Sequence, residues 1–297
     1  MAITGPDGSG KSTTARMVAL RLGEDFRVVQ PGPSSPVYAV LNRRIEYPFQ
    51  RLIHLIHRLH ALADRTRLRF VVGAVNTLNV LVCARVIEPS MVQRFAPDLV
   101  LSGRDFRVDP CVYSSVYLPA FAELSLRTRL EWLGRLTGVA FNDVVFFLTV
   151  PPGEAIRRID ARIVAERSDP RSIAETRSWR WRHIHEDPQT LAFLQREFFR
   201  AFDVLQGQWP VHVYEIDTSD LPQAEVVEFI VTTVRAYMAT PRTTATSRRW
   251  VRHSSSGTIE RHDANPASTR SHGTRGQECR DRSGKKPGAD DDPPRAS

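Results

Sequence analysis

The sequence has very little lysine. It has 297 residues and 41 basic side chains, but only Lys11, Lys285 and Lys286 are lysines, so arginine supplies almost all of the positive charge. The formal net charge of +8 is unevenly distributed, because residues 239–297 hold 12 basic and 7 acidic side chains and therefore carry +5 of it. The nearly balanced remainder, residues 1–238, gives no charge-based reason to expect a nucleic-acid partner.

Cysteine is scarce as well. Cys83, Cys111 and Cys279 lie far apart and form no Cys-x-x-Cys pair, which argues against a disulfide framework and favours a reducing, cytoplasmic setting. No apolar segment typical of a signal peptide opens the chain. The longest apolar stretch, residues 70–87, is interrupted by two asparagines and an arginine, so it predicts a buried helix and no membrane association.

Composition divides the chain into two parts. Residues 239–297 are rich in Ser, Thr, Arg, Gly, Asp and Pro, and they cannot bury enough apolar surface to offset the entropy lost on ordering, so we expect a disordered basic tail. In residues 1–238, apolar strand-like runs alternate with longer stretches of helical spacing, which predicts a doubly wound parallel sheet flanked by helices. The predicted strands are 26–30, 98–102, 144–150 and 211–216, and the predicted helices are 12–22, 49–64, 70–95, 113–136, 154–166, 188–205 and 223–238.

Residues 5–12, GPDGSGKS, match the phosphate-binding loop G-x-x-x-x-G-K-[ST]. Glycines allow the backbone N–H groups to point inward, Lys11 would reach the β- and γ-phosphates, and the Ser12 hydroxyl would ligate Mg²⁺. We therefore expect ATP and Mg²⁺ as cofactors. The candidate nucleotide-binding residues are Gly5, Asp7, Gly8, Ser9, Gly10, Lys11, Ser12 and Thr13. Because only four residues precede Gly5, the first strand is expected to be short or truncated.

The full spelling of this loop, GPDGSGKST, resembles the G-x-[DE]-G-x-G-K-[ST]-T loop of the thymidylate kinase family. Further elements over residues 1–238 follow in that family's order: Pro31-Gly32, Cys83-Ala84-Arg85, LVLSGRD at 99–105, and Ile216-Asp217. The resemblance implies a P-loop NTPase-type α/β fold and phosphoryl transfer from ATP to a nucleoside monophosphate, with dTMP to dTDP as the foremost expectation. It implies a small-molecule nucleotide partner, and a homodimer is left open.

The resemblance also implies roles for individual residues. Arg85 and Arg104 would hold the acceptor phosphate, and Asp7 would orient the acceptor sugar or a metal-bound water. The family has an aspartate before the arginine that Arg104 matches, but this chain has Gly103 there, so Asp105 is the candidate substitute. The segment 106–113, FRVDPCVY, is similar to thymidylate-kinase-like proteins that carry an Asp-Pro-x-x-Tyr stretch, which keeps a different acceptor open.

The expected catalytic arginine lies in a lid. The family carries this arginine either in the phosphate loop or in the lid, and here the loop position is Gly8. The lid, at about residues 155–185, is therefore expected to supply it, with Arg162 and Arg167 as the candidates. Two alternatives to a thymidylate kinase remain: a P-loop kinase of another small acceptor, and a catalytically decayed ATP-binding or regulatory protein.

Overall fold

The structure is a computed structural model that describes residues 1–32, 36–66, 68–168, 186–240, 250–253 and 259–262. Its strands are β1 (Ala2–Thr4), β2 (Val28–Gln30), β3 (Tyr38–Leu41), β4 (Arg44–Glu46), β5 (Leu99–Val100), β6 (Val144–Thr149), β7 (His212–Asp217), β8 (Trp250–His253) and β9 (Ile259–His262). Its helices are α1 (Lys11–Leu22), α2 (Gln50–Thr66), α3 (Arg69–Val82), α4 (Glu88–Phe95), α5 (Val108–Tyr117), α6 (Pro119–Ala122), α7 (Leu126–Thr137), α8 (Pro152–Ser168), α9 (Pro188–Gln208) and α10 (Gln223–Ala239).

Five parallel strands form the centre of the fold. The pairings β2–β5, β1–β6 and β6–β7 are parallel, and a parallel bridge between Ala2 and Ser102 joins β1 to the end of β5. The Ile3 N–H donates to the Ser102 carbonyl at 2.9 Å, which continues this junction. The spatial order is therefore β2-β5-β1-β6-β7, and the predicted α/β fold with a parallel sheet is confirmed. The predicted short first strand is also confirmed, since β1 has three residues.

Helices cover both faces of this sheet. Strand β6, VVFFLT, is buried along its whole length. Because alternate residues of a strand face opposite sides, Phe146 joins the core formed with α1 and α10, while Phe147 joins the core formed with α5, α7 and α9. Two continuous apolar cores therefore hold β1 in the middle of the fold, and the carboxyl ends of the parallel strands form one common edge.

One helical prediction differs from the structure. The helix expected over 113–136 is three helices, because Pro119 cannot continue α5 and the Ser125 hydroxyl caps α7 by accepting from the Thr128 N–H at 3.1 Å. The helix expected over 70–95 is present as α3, a π-helical turn at Cys83–Ile87, and α4. This run is long and apolar enough to cross a membrane, and a third of its most apolar window is buried.

The chain also adds strands at both edges of the parallel sheet. Antiparallel β3 and β4 extend β2, and the turn between them places Asn42 and Arg43 at positive φ. On the other side, β8 pairs parallel to β7 and β9 pairs antiparallel to β8. These eight residues lie within residues 239–297, and the other residues after Thr240 lie outside the described ones.

Candidate functional site

The phosphate loop connects the end of β1 to the start of α1. Gly8 has φ 83° and Gly10 has φ 84°, a left-handed conformation that favours glycine. A Cβ at Gly8 would lie 2.6 Å from the carbonyl oxygen of Ala155 in the first turn of α8. Position 8 therefore has no room for a side chain.

Lys11 begins α1 and is buried. Its Nζ donates to the Asp7 carboxylate at 2.7 Å and to the Pro6 carbonyl at 3.1 Å. Burial lowers the pKa of Lys11 below its ordinary value, and Asp7 partly offsets this effect. An anion bound in the loop would face a buried ammonium group and the N-terminus of α1 together, which is the arrangement that binds phosphate.

The remaining loop residues divide into buried and exposed positions. Ser9 is buried, and its carbonyl accepts from the Thr218 hydroxyl at 3.4 Å, which connects the loop to the segment after β7. Ser12 and Thr13 are exposed at the first turn of α1. Solvent-exposed, the Ser12 side chain is accessible to a ligand in front of the loop.

Arg104 joins the loop to α5. Its Nη2 donates to Asp7 at 3.1 Å and its Nη1 donates to Asp109 at 3.3 Å. The guanidinium also lies over the ring of Tyr113, with 5.3 Å between Cζ and the ring centroid. Lys11, Asp7, Arg104 and Asp109 thus form a chain of alternating charges from the phosphate loop to α5. The sequence indicated Arg104 and Asp7 but not Asp109, although the Asp-Pro-x-x-Tyr stretch contains it.

Asp105 does not take the place of the missing family aspartate. Its Oδ1 accepts from the backbone N–H groups of Arg107 and Val108, each at 2.8 Å, and its Oδ2 accepts from the Asn142 amide at 2.7 Å. Both oxygens of this buried carboxylate are occupied in holding the start of α5. The carboxylate that pairs with Arg104 from this segment is Asp109, and the role of Asp105 as an acceptor-binding group stays a prediction.

Arg85 also has a structural role. Its Nε donates to the Leu136 carbonyl at 3.1 Å, and its Nη2 donates to the Arg135 and Leu136 carbonyls, both at 3.0 Å. These carbonyls end α7, where a cation is stabilising. Gly138, with φ 69°, leaves space for the guanidinium, since a Cβ there would lie 2.5 Å from Nη1. The structure therefore places the guanidinium of Arg85 against the end of α7, and its role in acceptor binding stays a prediction.

The arginines of α8 are only partly described. Arg162 donates from Nη2 to the buried carboxylate of Glu186 at 3.1 Å. Arg158 donates to Glu154 at 2.7 Å and to the Thr218 carbonyl at 2.8 Å, so it fixes the start of α8 to the segment after β7. The side chain of Arg167 and residues 169–185 of the predicted lid lie outside the described residues. The catalytic roles of Arg162 and Arg167 stay predictions.

A cavity of about 210 Å³ lies between α3, α5 and α7. Arg104 and Asp109 lie in its wall, so the charged chain that begins at the phosphate loop ends at this cavity. The rest of the described lining is mainly apolar and aromatic, with contributions from Tyr113, Tyr117 and Trp132. In an open α/β sheet, ligands bind at the carboxyl ends of the strands near the switch point, which here lies beside β1.

The comparisons with known proteins identify structures of similar fold. No family model matches the chain, and no curated protein matches its sequence. Deoxyadenosine kinase from M. mycoides, solved with dCMP and dCDP, is 16% identical with a TM-score of 0.48 over 79% of this chain and 98% of that one. The same enzyme with dCTP gives 14% identity and a TM-score of 0.43 over 80% of this chain and 100% of that one. Likeness at this level says nothing about which acceptor the site takes.

Proposed function

We propose that the chain transfers the terminal phosphoryl group of ATP to a small acceptor bound in the cavity between α3, α5 and α7. The observation that carries this proposal is the continuous chain of charges from Lys11 through Asp7 and Arg104 to Asp109. It connects a phosphate-binding loop with a concave, mainly apolar site. Phosphoryl transfer needs a donor and an acceptor held in line, and this arrangement supplies adjacent positions for both.

On the donor side, the loop backbone and Lys11 would bind the β- and γ-phosphates, with Thr13 beside them. Ser12 would hold Mg²⁺, which supplies charge neutralisation on the transferring phosphoryl group when bound. Mg²⁺ commonly keeps several waters and takes one or two protein oxygens together with the substrate phosphates. The exposed Ser12 hydroxyl fits that pattern, and the described residues contain no cluster of three His, Cys, Asp or Glu that could hold a metal alone.

On the acceptor side, the sequence-based expectation is dTMP. An unphosphorylated nucleoside is a second candidate. Two observations favour this second candidate: Arg85 binds the end of α7, and Arg104 is shared between two carboxylates. The cytoplasm, where ATP is plentiful, is the location we propose for this activity, with no nucleic-acid or membrane partner required.

Nucleotide binding is tested by titrating wild-type protein, Lys11→Ala and Arg16→Ala with a fluorescent ATP analogue and Mg²⁺. Hydrogen bonds to a charged group contribute about 1.5–3 kcal/mol, so Lys11→Ala should weaken binding roughly 10- to 150-fold. Arg16 is exposed on the same helix, and its replacement is the matched control. Equal affinity of wild type and Lys11→Ala would contradict the proposal. Binding without acceptor-dependent ADP production would instead indicate a nucleotide-binding regulatory protein.

A further inference from the structure

The lining of the cavity beside the phosphate loop suits an uncharged aromatic ligand. Aromatic side chains from three segments line it, namely Tyr113 and Tyr117 of α5, Phe121 of α6 and Trp132 of α7. The amide of Asn76 on α3 adds a group that can both donate and accept hydrogen bonds. A planar ring with polar edges, such as a nucleobase, has the complementary chemistry.

The described lining of this cavity has no excess of positive charge. Arg104 is its only cation and Asp109 its only anion. Arg104 is also bonded to Asp7, so even this cation is shared between two carboxylates. A phosphate monoester would bring about −1.5 to −2 charges to this position. A neutral hydroxyl brings none, and it needs a hydrogen-bond acceptor that can take its proton.

Asp109 has the geometry of such an acceptor. Its Oδ2 accepts from the Thr4 hydroxyl and from the Asp105 N–H at 2.9 Å, which fixes the carboxylate between β1 and α5. Its Oδ1 accepts from Arg104 at 3.3 Å, and a carboxylate oxygen can accept a second hydrogen bond. The oxygen Oδ1 can therefore accept a second hydrogen bond, from a hydroxyl bound in the cavity.

The electrostatic surroundings of Asp109 suit a base near neutral pH. Burial raises the pKa of Asp109 to about 6, while Arg104, the Thr4 hydroxyl and Lys11 act against this shift and Asp105 adds to it. A base with a pKa slightly below the working pH is ionised and still accepts a proton readily. Its position beside Arg104 also keeps it next to the phosphate loop.

We infer that the acceptor is a nucleoside-like molecule that directs a neutral hydroxyl at the phosphate loop, and that Asp109 accepts the proton of this hydroxyl. This inference rests on the proposed function. The acceptor O–H bond breaks and its proton moves to Asp109 Oδ1, while the acceptor oxygen forms a bond to the γ-phosphorus of ATP. The bond between the γ-phosphorus and the bridging oxygen breaks, and ADP leaves with that oxygen. Solvent then receives the proton from Asp109.

The first test uses wild-type protein with γ-labelled ATP, Mg²⁺ and matched acceptor pairs: thymidine and dTMP, deoxyadenosine and dAMP, deoxycytidine and dCMP. We expect the label to be transferred to at least one nucleoside, with a kcat/KM for that nucleoside at least tenfold above the kcat/KM for its monophosphate. Transfer to the monophosphates in preference to the nucleosides would overturn this inference alone. Transfer to neither, in a protein that binds ATP through Lys11, would overturn both the inference and the kinase proposal.

The second test compares Asp109→Asn with Asp203→Asn. Asparagine keeps the shape of Asp109 but cannot take the proton, and loss of a general base lowers rates roughly 10²- to 10⁴-fold. We expect kcat to fall by that factor with KM for the nucleoside within threefold. The kcat/KM of the wild-type protein should decrease as the pH falls through about 6. The Asp109→Asn variant should not show this decrease. Asp203 is an exposed carboxylate on α9 outside the cavity, and its replacement should leave kcat unchanged. A folded Asp109→Asn variant with wild-type kcat and pH profile would overturn the role of Asp109.

Discussion

The close approach of the phosphate loop to α8 gives a quantitative prediction. Gly8 has φ 83°, and a Cβ added there would lie 2.6 Å from the Ala155 oxygen, 2.8 Å from its Cα and 2.9 Å from its Cβ. The left-handed conformation costs a non-glycine residue about 1–2 kcal/mol. Forcing a methyl group against backbone costs about 1–3 kcal/mol more. We expect Gly8→Ala to lower the free energy of unfolding by about 2–5 kcal/mol, or to move the loop away from α8 and weaken ATP binding.

Gly153 supplies the matched control. It lies in the first turn of α8, two residues from Ala155, and an added Cβ there would meet nothing within 4 Å. Alanine is favoured over glycine in a helix by about 0.5–1 kcal/mol, so Gly153→Ala should leave stability unchanged or slightly raised. Urea unfolding followed by circular dichroism measures the free energy of unfolding, and titration with a fluorescent ATP analogue measures affinity. If both variants match wild type within about 0.5 kcal/mol and bind ATP equally, the loop does not pack on α8 as described.

Two further predictions concern Arg85 and Asp105, whose side chains hold helix ends in the structure. Arg85→Ala should lower the free energy of unfolding by about 1 kcal/mol, because the variant loses hydrogen bonds to the end of α7. The KM for the acceptor should stay within twofold of the wild-type value. A rise of tenfold or more in this KM would place Arg85 in the acceptor site. Asp105→Ala should cost about 1–3 kcal/mol in thermal or urea unfolding, since the N–H groups at the start of α5 and the Asn142 amide lose their acceptor; unchanged stability would refute this capping role.

Much of the fold could be predicted because its signals are local. The strand predicted at 144–150 is β6 at Val144–Thr149, and the helix predicted at 223–238 is α10 at Gln223–Ala239. In β6 the apolar pattern is consistent over several consecutive residues, and in α10 it is consistent over several turns. The β3–β4 hairpin was missed because its strands have only four and three residues and its turn is Asn42-Arg43. Asparagine is common at positive φ, but arginine is not, so the usual Asn-Gly hairpin signal is missing.

The donor and acceptor sides of the site differ in how far sequence can describe them. The phosphate loop is a short continuous segment whose ligands are mostly backbone N–H groups, so its residue pattern nearly determines its shape. The acceptor side depends on side chains that meet only in the folded chain: Asp7 meets Arg104 across 97 positions, and Thr4 meets Asp109 across 105. Family order alone assigned Arg85 to this site, yet its guanidinium is used by α7.

The glycine at position 103 illustrates why a missing motif residue is weak evidence for decay. Asp109, five residues after Arg104 and on the first turn of α5, places a carboxylate beside Arg104. A carboxylate on a helix is held by packing and by the Thr4 and Asp105 donors, so its position is as well defined as that of a residue ending a strand. This carboxylate lies in the cavity wall and carries a raised pKa, so under the inference above it would take a proton from an acceptor hydroxyl. If the pH-profile and Asp109→Asn tests give the expected results, the departure from the family pattern at Gly103 reflects a different acceptor and not a lost activity.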